Sequence, residues 1–186
     1  MADINNIIKS CIIGDRNAQR TLYEMHRTRW YMVSMRYGKN ISQAEDILQE
    51  GLIRIYTSLH QYNVEKSAFS TWSTRLIVNA ALRYLKKHSW QNTFVEVYEA
   101  SDIADHHETI YDKLAAKELT KLVQKLPMGY RIVFNMYCIE GYSHKEIAKN
   151  LNIAEGTSKS QLSKARRGIK KLIELQLIKS SNGKYR

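Results

Sequence analysis

The chain has 186 residues, 44% of them hydrophobic, and carries 29 Lys and Arg against 18 Asp and Glu, a formal charge of +11. That much apolar content excludes a disordered chain, and the length allows one domain or two small ones. The charge points to a polyanionic partner, nucleic acid ahead of an anionic membrane surface. Two cysteines, Cys11 and Cys138, stand far apart with no metal-spaced Cys/His cluster, so both are expected to be reduced core residues and no metal or cofactor is expected. The opening "MADINNIIKSCIIGD" has acidic and polar residues where a signal peptide needs basic ones, and the apolar run "LIVNAAL" at 76–82 is too short to span a bilayer. The expectation is a cytoplasmic protein with no membrane insertion.

Helical spacing dominates the chain, so the predicted class is all-α. Ile4, Ile7, Ile8 and Ile12 predict a short amphipathic helix stopped at Gly14, and a second helix runs from about Asn17 to Tyr37. A third is predicted to start behind Ser42, with Glu45 at the capping-box spacing, and to bury Ala44, Leu48, Leu52, Ile55 and Leu59. Asp46, Gln49, Glu50 and Ile53 share another face of it, at i, i+3, i+4 and i+7. That face suits either a basic protein partner or plain solvent.

After a polar break, "HQYNVEKSAFS", a fourth helix is predicted from about Ser70 to Lys87. Together these stretches interleave Tyr62, Phe69 and Trp72 with Arg75, Asn79, Arg83, Lys86 and Lys87. Aromatic faces stack on unpaired bases and the cations hold the backbone. Phe69 and Trp72 fit a core equally well.

Charge divides the chain into three. Residues 1–90 are net +6, residues 91–112 hold six acids and no Lys or Arg, and residues 113–186 are net +11. The expected architecture is two small helical domains, 1–90 and 113–186, joined by an acidic linker. In the second, Ile110, Leu114, Leu119, Leu122, Val123 and Leu126 predict one helix, and Pro127 starts another that runs to Gly141. "YSHKEIAKNLNIAEGTSKSQLSKARRGIKKL" then has helix-turn-helix anatomy: Ser143 and Glu146 form a capping box, "NIAEG" is the turn, and Leu162, Ala165 and Ile169 face inward. Thr157, Ser158, Lys159 and Gln161 are expected at base edges in the major groove, and Ser160, Lys164, Arg166 and Arg167 on phosphates.

Three stretches in this order, "AEDILQEGLIRIY", "FSTWSTRLIVNAALRYLKK" and "LPMGYRIVFNMYCIEGYSHKEIAKNLNIAEGTSKSQLSKARRGIKKL", resemble bacterial sigma factors of the extracytoplasmic-function group, over about residues 15–175. The resemblance implies that 44–56 docks on the clamp of core RNA polymerase and that 62–87 opens the minus-ten box of promoter DNA. It implies that 156–167 reads the minus-thirty-five box, that the second domain touches the polymerase flap, and that the linker passes near the active centre. It implies no catalytic residues, and an anti-sigma protein as the inhibitor common in that group. Ser158 stands where the family often has Val, Gln161 where it often has Arg, and Arg83 where it often has Asp.

Two rival readings cover less of the chain. A helix-turn-helix regulator of duplex DNA alone accounts for 143–167 but not for 46–50 or 62–87. A nucleic-acid enzyme needs a metal or carboxylate cluster, and the one candidate, "SDIADHHE" at 101–108, lies in the linker.

Overall fold

The structure, a computed structural model, describes residues 4–88 and 116–182. The described residues are all helical outside turns, and the chain forms two compact units, Met1–Trp90 and Gln91–Arg186. The acidic stretch 91–112, "SDIADHHE", Ile110 and Leu114 lie outside the described residues.

The first unit contains α1 (Ile4–Ile12), α2 (Arg16–Tyr37), α3 (Ile41–Ser58), a 3₁₀ turn (Leu59–Gln61) and α4 (Phe69–His88). α1 buries Ile7, Ile8 and Cys11, and packs on α2. Asp15 starts α2: its carboxylate accepts from the Asn17 N–H at 2.8 Å and the Ala18 N–H at 3.2 Å, satisfying donors that have no partner within the helix. α2, α3 and α4 pack on one another around Trp30, Tyr37, Ile47, Ile55 and Ile77. The Trp30 indole N–H donates to the buried Ser73 hydroxyl at 3.0 Å, which satisfies both.

Two sequence expectations for α3 are corrected. The cap is Asn40, whose side chain accepts from the Gln43 N–H at 2.9 Å, and Ser42 lies inside the helix. The buried line is Ala44, Ile47, Gly51 and Ile55, with Leu48 and Leu52 only half-buried. Gly51 belongs to that line because α4 lies directly against it, and a Cβ there would collide with Ile77.

The second unit contains α5 (Ala116–Gln124), α6 (Met128–Phe134), a π-helical turn (Asn135–Ile139), α7 (His144–Leu151) and α8 (Glu155–Asn182). Pro127 precedes α6 as its cap residue. The helix expected to run evenly to Gly141 instead widens at the π turn, where the Glu140 N–H reaches the Asn135 carbonyl at 3.0 Å. The extra residue turns Tyr137, Cys138 and Ile139 outward. Cys138, expected in the core, is therefore exposed, whereas Cys11 is buried. Gly141 then takes a positive φ, +74°, that lets the chain reverse.

α7 opens on the full capping box: the Ser143 hydroxyl accepts from the Glu146 N–H at 3.3 Å and the Glu146 carboxylate accepts from the Ser143 N–H at 2.8 Å. It ends at Asn152, whose left-handed φ of 56° starts the turn into α8. α8 packs on α6 and α7 through Leu162, Ala165 and Ile169.

Candidate nucleic-acid interface

On α4, Trp72, Arg75, Asn79, Arg83 and Lys86 stand at i, i+3, i+7, i+11 and i+14, which places them along one stripe of the helix. Arg75, Arg83, Lys86 and Lys87 are exposed, and Trp72 and Asn79 half-buried. Tyr62 comes from the preceding loop, held by its hydroxyl donating to the Ser67 carbonyl at 3.2 Å. Its ring lies 5.4 Å from that of Trp72, so the half-exposed aromatics meet at the N-terminal end of the cationic stripe.

Phe69 does not join that surface. It is 2% exposed and lies among the rings of His26, Trp30, Tyr62 and Trp72 at 5.1–6.5 Å. Its expected place on a base is corrected to a place in the core, where it backs Tyr62 and Trp72. His26 stacks on Trp30 with centroids 5.4 Å apart, and its Nε2 is buried without a partner. Burial, and then the Arg29 charge, hold its pKa below 6.5.

Arg29 was not singled out by the sequence. It lies on α2, outside both basic stretches, yet its guanidinium reaches the Thr74 hydroxyl on α4 at 3.2 Å. Only the packing of α2 on α4 brings it there.

The face Asp46, Gln49, Glu50 and Ile53 forms one wall of a groove of about 570 Å³. The other wall is Arg83, Tyr84, Lys87 and His88 from α4. The Tyr84 hydroxyl crosses between the walls to the Asp46 carboxylate at 3.0 Å. Burial first, and then that hydrogen bond, push the Tyr84 phenol up. Glu50 pairs with Arg54 at 3.1 Å within α3. Ile53 is 60% exposed, a large apolar side chain between polar groups. The two surfaces that the sequence separates thus share an edge, because Arg83 belongs both to the stripe and to the groove, and Lys87 of the groove follows Lys86 of the stripe.

On α8 the buried strip is wider than its apolar residues. Ser158 is 0% and Gln161 6% exposed, both beside Leu162. Their expected contacts to base edges are corrected: both side chains point into the unit. The Ser158 hydroxyl meets His144 Nδ1 at 2.9 Å, while the Gln161 amide oxygen is buried without a partner. Gly156, Lys159, Ser160 and Arg167 are exposed, with Thr157, Ser163, Lys164 and Arg166 partly so. Lys159 pairs with Glu155 at 2.9 Å, and that hydrogen bond is the main cause holding the Glu155 carboxyl below the usual carboxylate range. The Arg166 guanidinium lies over the Tyr137 ring, 5.9 Å from its centroid. Gly156 and Ser163, which carry neither charge nor bulk, share this outward side without having been singled out by the sequence.

Among the described residues no group of three or more His, Cys, Asp or Glu could hold a metal ion. No described helix is long and apolar enough to cross a membrane.

Two family models match: Sigma-70 region 2 over residues 22–102 and Sigma-70, region 4 over residues 116–168. The chain is similar to the ECF RNA polymerase sigma factor SigW of Bacillus subtilis, 28% identical over 179 residues that cover 90% of this chain and 95% of that one. It is also 29% identical to SigM of the same organism over 152 residues, 81% of this chain and 92% of that protein. Among solved structures, the sigma factor RpoE in complex with the anti-sigma factor NepR from Bartonella quintana shares the fold, with a TM-score of 0.51 at 18% identity over 83% of this chain and 96% of that chain. Two basic helical units, one with an aromatic-cationic stripe beside a polar groove and one with a helix-turn-helix, match regions 2 and 4 in order, and the chain belongs to the ECF group of the sigma-70 family: it is an RNA polymerase sigma factor that acts in transcription initiation and is not an enzyme.

Proposed function

We propose that the groove wall Asp46, Gln49, Glu50 and Ile53 docks on the polymerase clamp, and that the α4 stripe beside it holds the opened minus-ten strand. Tyr62 and Trp72 stack on unpaired bases there, while Arg75, Arg83, Lys86 and Lys87 hold phosphates. Gly156, Lys159, Ser160, Ser163 and Arg167 on α8 face the minus-thirty-five element, with Thr157, Lys164 and Arg166 at the margins. The domains divide as 1–90 and 113–186 across an acidic linker, and the protein works in the cytoplasm. The RpoE–NepR complex shares this fold and supports an anti-sigma protein as a further partner.

The observation that carries the docking reading is Ile53, largely exposed in the lining of a groove that also carries Asp46 and Glu50, on an otherwise basic unit. A large apolar side chain left exposed beside charged groups is what a protein interface covers. The test is reversal of Asp46 and Glu50 to Lys together, measured by pull-down of core polymerase and by run-off transcription. Glu50→Lys also loses a part-exposed i,i+4 pair with Arg54, worth about 0.5 kcal/mol, so folding should survive. Core binding should fall by roughly tenfold or more. Unchanged core binding would show that docking uses another surface.

A further inference from the structure

The recognition helix of the second unit is tied to its neighbours by polar contacts that its apolar strip does not require. His144, the first residue of α7, meets the wholly buried Ser158 hydroxyl of α8 at 2.9 Å. The imidazole also stacks on Tyr137 of the π turn, centroids 4.5 Å apart and planes 24° from parallel. Tyr137 in turn lies beneath the Arg166 guanidinium, again on α8. The chain of contacts leaves α8 at Ser158 and returns to it at Arg166. Those positions are eight residues apart, about 12 Å along the axis and about 80° around it. A rod held at two such points can neither slide nor roll freely.

We infer that His144 is a positioning residue for promoter recognition: through Ser158 and Tyr137 it fixes the rotation and register of α8 against α7 and the π turn. This rests on the reading that α8 enters the DNA groove. An apolar pair at this place would tolerate a small slide, since dispersion contacts have little directionality. A buried hydroxyl bonded to a half-buried imidazole does not, because rolling α8 leaves the hydroxyl without a partner in the interior. The hydroxyl at 158, where the resembled family often has Val, is the group that makes the helix's orientation specific. The outward residues Gly156, Lys159, Ser160, Ser163 and Arg167 inherit that orientation.

The experiment compares Ser158→Thr with Ser158→Val, which add the same bulk and differ in the hydroxyl. His144→Phe is the third variant, since it keeps a ring against Tyr137 and lacks the hydrogen bond. Each full chain is assembled with core polymerase and challenged with a duplex library randomised across the upstream element, alongside thermal unfolding and a salt titration on one fixed duplex. Ser158→Thr should keep the parent's base preferences. Ser158→Val and His144→Phe should flatten them by about twofold to tenfold, the range one net hydrogen bond can supply. Their salt slope should stay unchanged, because the phosphate-holding cations remain. If Val and Thr give the same profile, or if Val lowers overall binding with its profile intact, the pair only stabilises the fold and the positioning role is wrong. If the parent itself selects no upstream sequence, the DNA-reading role of α8 fails, and this inference with it.

Discussion

Phe69 and Trp72 lie one helical turn apart, and truncating each to Ala should fail in different ways. Phe69 is 2% exposed with four rings around it. Phe→Ala at such a site removes buried area and leaves a cavity, about 3–5 kcal/mol. A unit of this size has roughly 5–10 kcal/mol in all, so the loss is about 30% or more of its stability. Trp72 is half-buried at the edge of the same cluster. Its truncation should cost the fold less and cost stacking on an unpaired base about 1–3 kcal/mol. The assays are urea unfolding of the full chain, and open-complex formation on a duplex promoter and on one carrying a pre-melted bubble. Trp72→Ala should be defective on the duplex and largely recovered on the bubble. Phe69→Ala should show a lowered unfolding midpoint and a defect on both templates. If Phe69→Ala unfolds within about 1 kcal/mol of the parent and fails only on the duplex, the ring leaves the core to meet DNA, and the assignment from burial is refuted.

Gln161→Leu should leave base preference intact and keep or raise stability, because it replaces a buried amide whose oxygen has no partner by an apolar side chain of similar size; a library selection showing an altered base at one position would return Gln161 to the reading face. Gly156→Ala should stabilise the free chain by up to about 1 kcal/mol, since a Cβ there meets nothing and helical Gly is costly, yet weaken upstream-element binding if DNA approaches that backbone closely; equal or tighter binding would move the contact elsewhere. His26 makes stability fall as pH drops below about 6.5: the unfolded chain takes up a proton that the folded one, with its lowered pKa, refuses, whereas above that pH both forms are neutral and no dependence arises. Thermal unfolding of the parent and His26→Leu between pH 5 and 8 checks this, and a parent no more acid-sensitive than the variant contradicts it.

What could be read from the sequence was what is local. The Ser143–Glu146 box closes within one turn, so its residues alone determine it. The start of α3 was not local in that sense. Asn40 and Ser42 are both competent caps, and Gly38, packed so closely on Ala44 that a Cβ would sit 2.8 Å from its nitrogen, helps fix where the helix begins. The α3 stripe was misread by following large apolar side chains, whereas its centre is Gly51, a contact made by the absence of a side chain. On α8 the rule that polar residues face out failed at Ser158 and Gln161. Hydrophobic patterning cannot find a polar residue whose partner, here His144, comes from another helix.

The groove constrains how mutations in the first unit can be interpreted. Arg83 and Lys87 face Asp46, Gln49 and Glu50 across it, and the Tyr84–Asp46 hydrogen bond joins the two walls. Groups that line one groove and share a hydrogen bond across it need not act independently, and effects of neighbouring substitutions do not simply add. Reversing Asp46 frees the Tyr84 hydroxyl and changes the field at Arg83 and Lys87, so a loss of transcription from that variant mixes docking with strand holding. Arg75 and Lys86 belong to the α4 stripe but not to the groove's lining. On the function proposed above, they are therefore the substitutions expected to weaken strand holding alone, and Gln49 and Ile53, uncharged and on the far wall, those expected to weaken docking with the least disturbance to the cations.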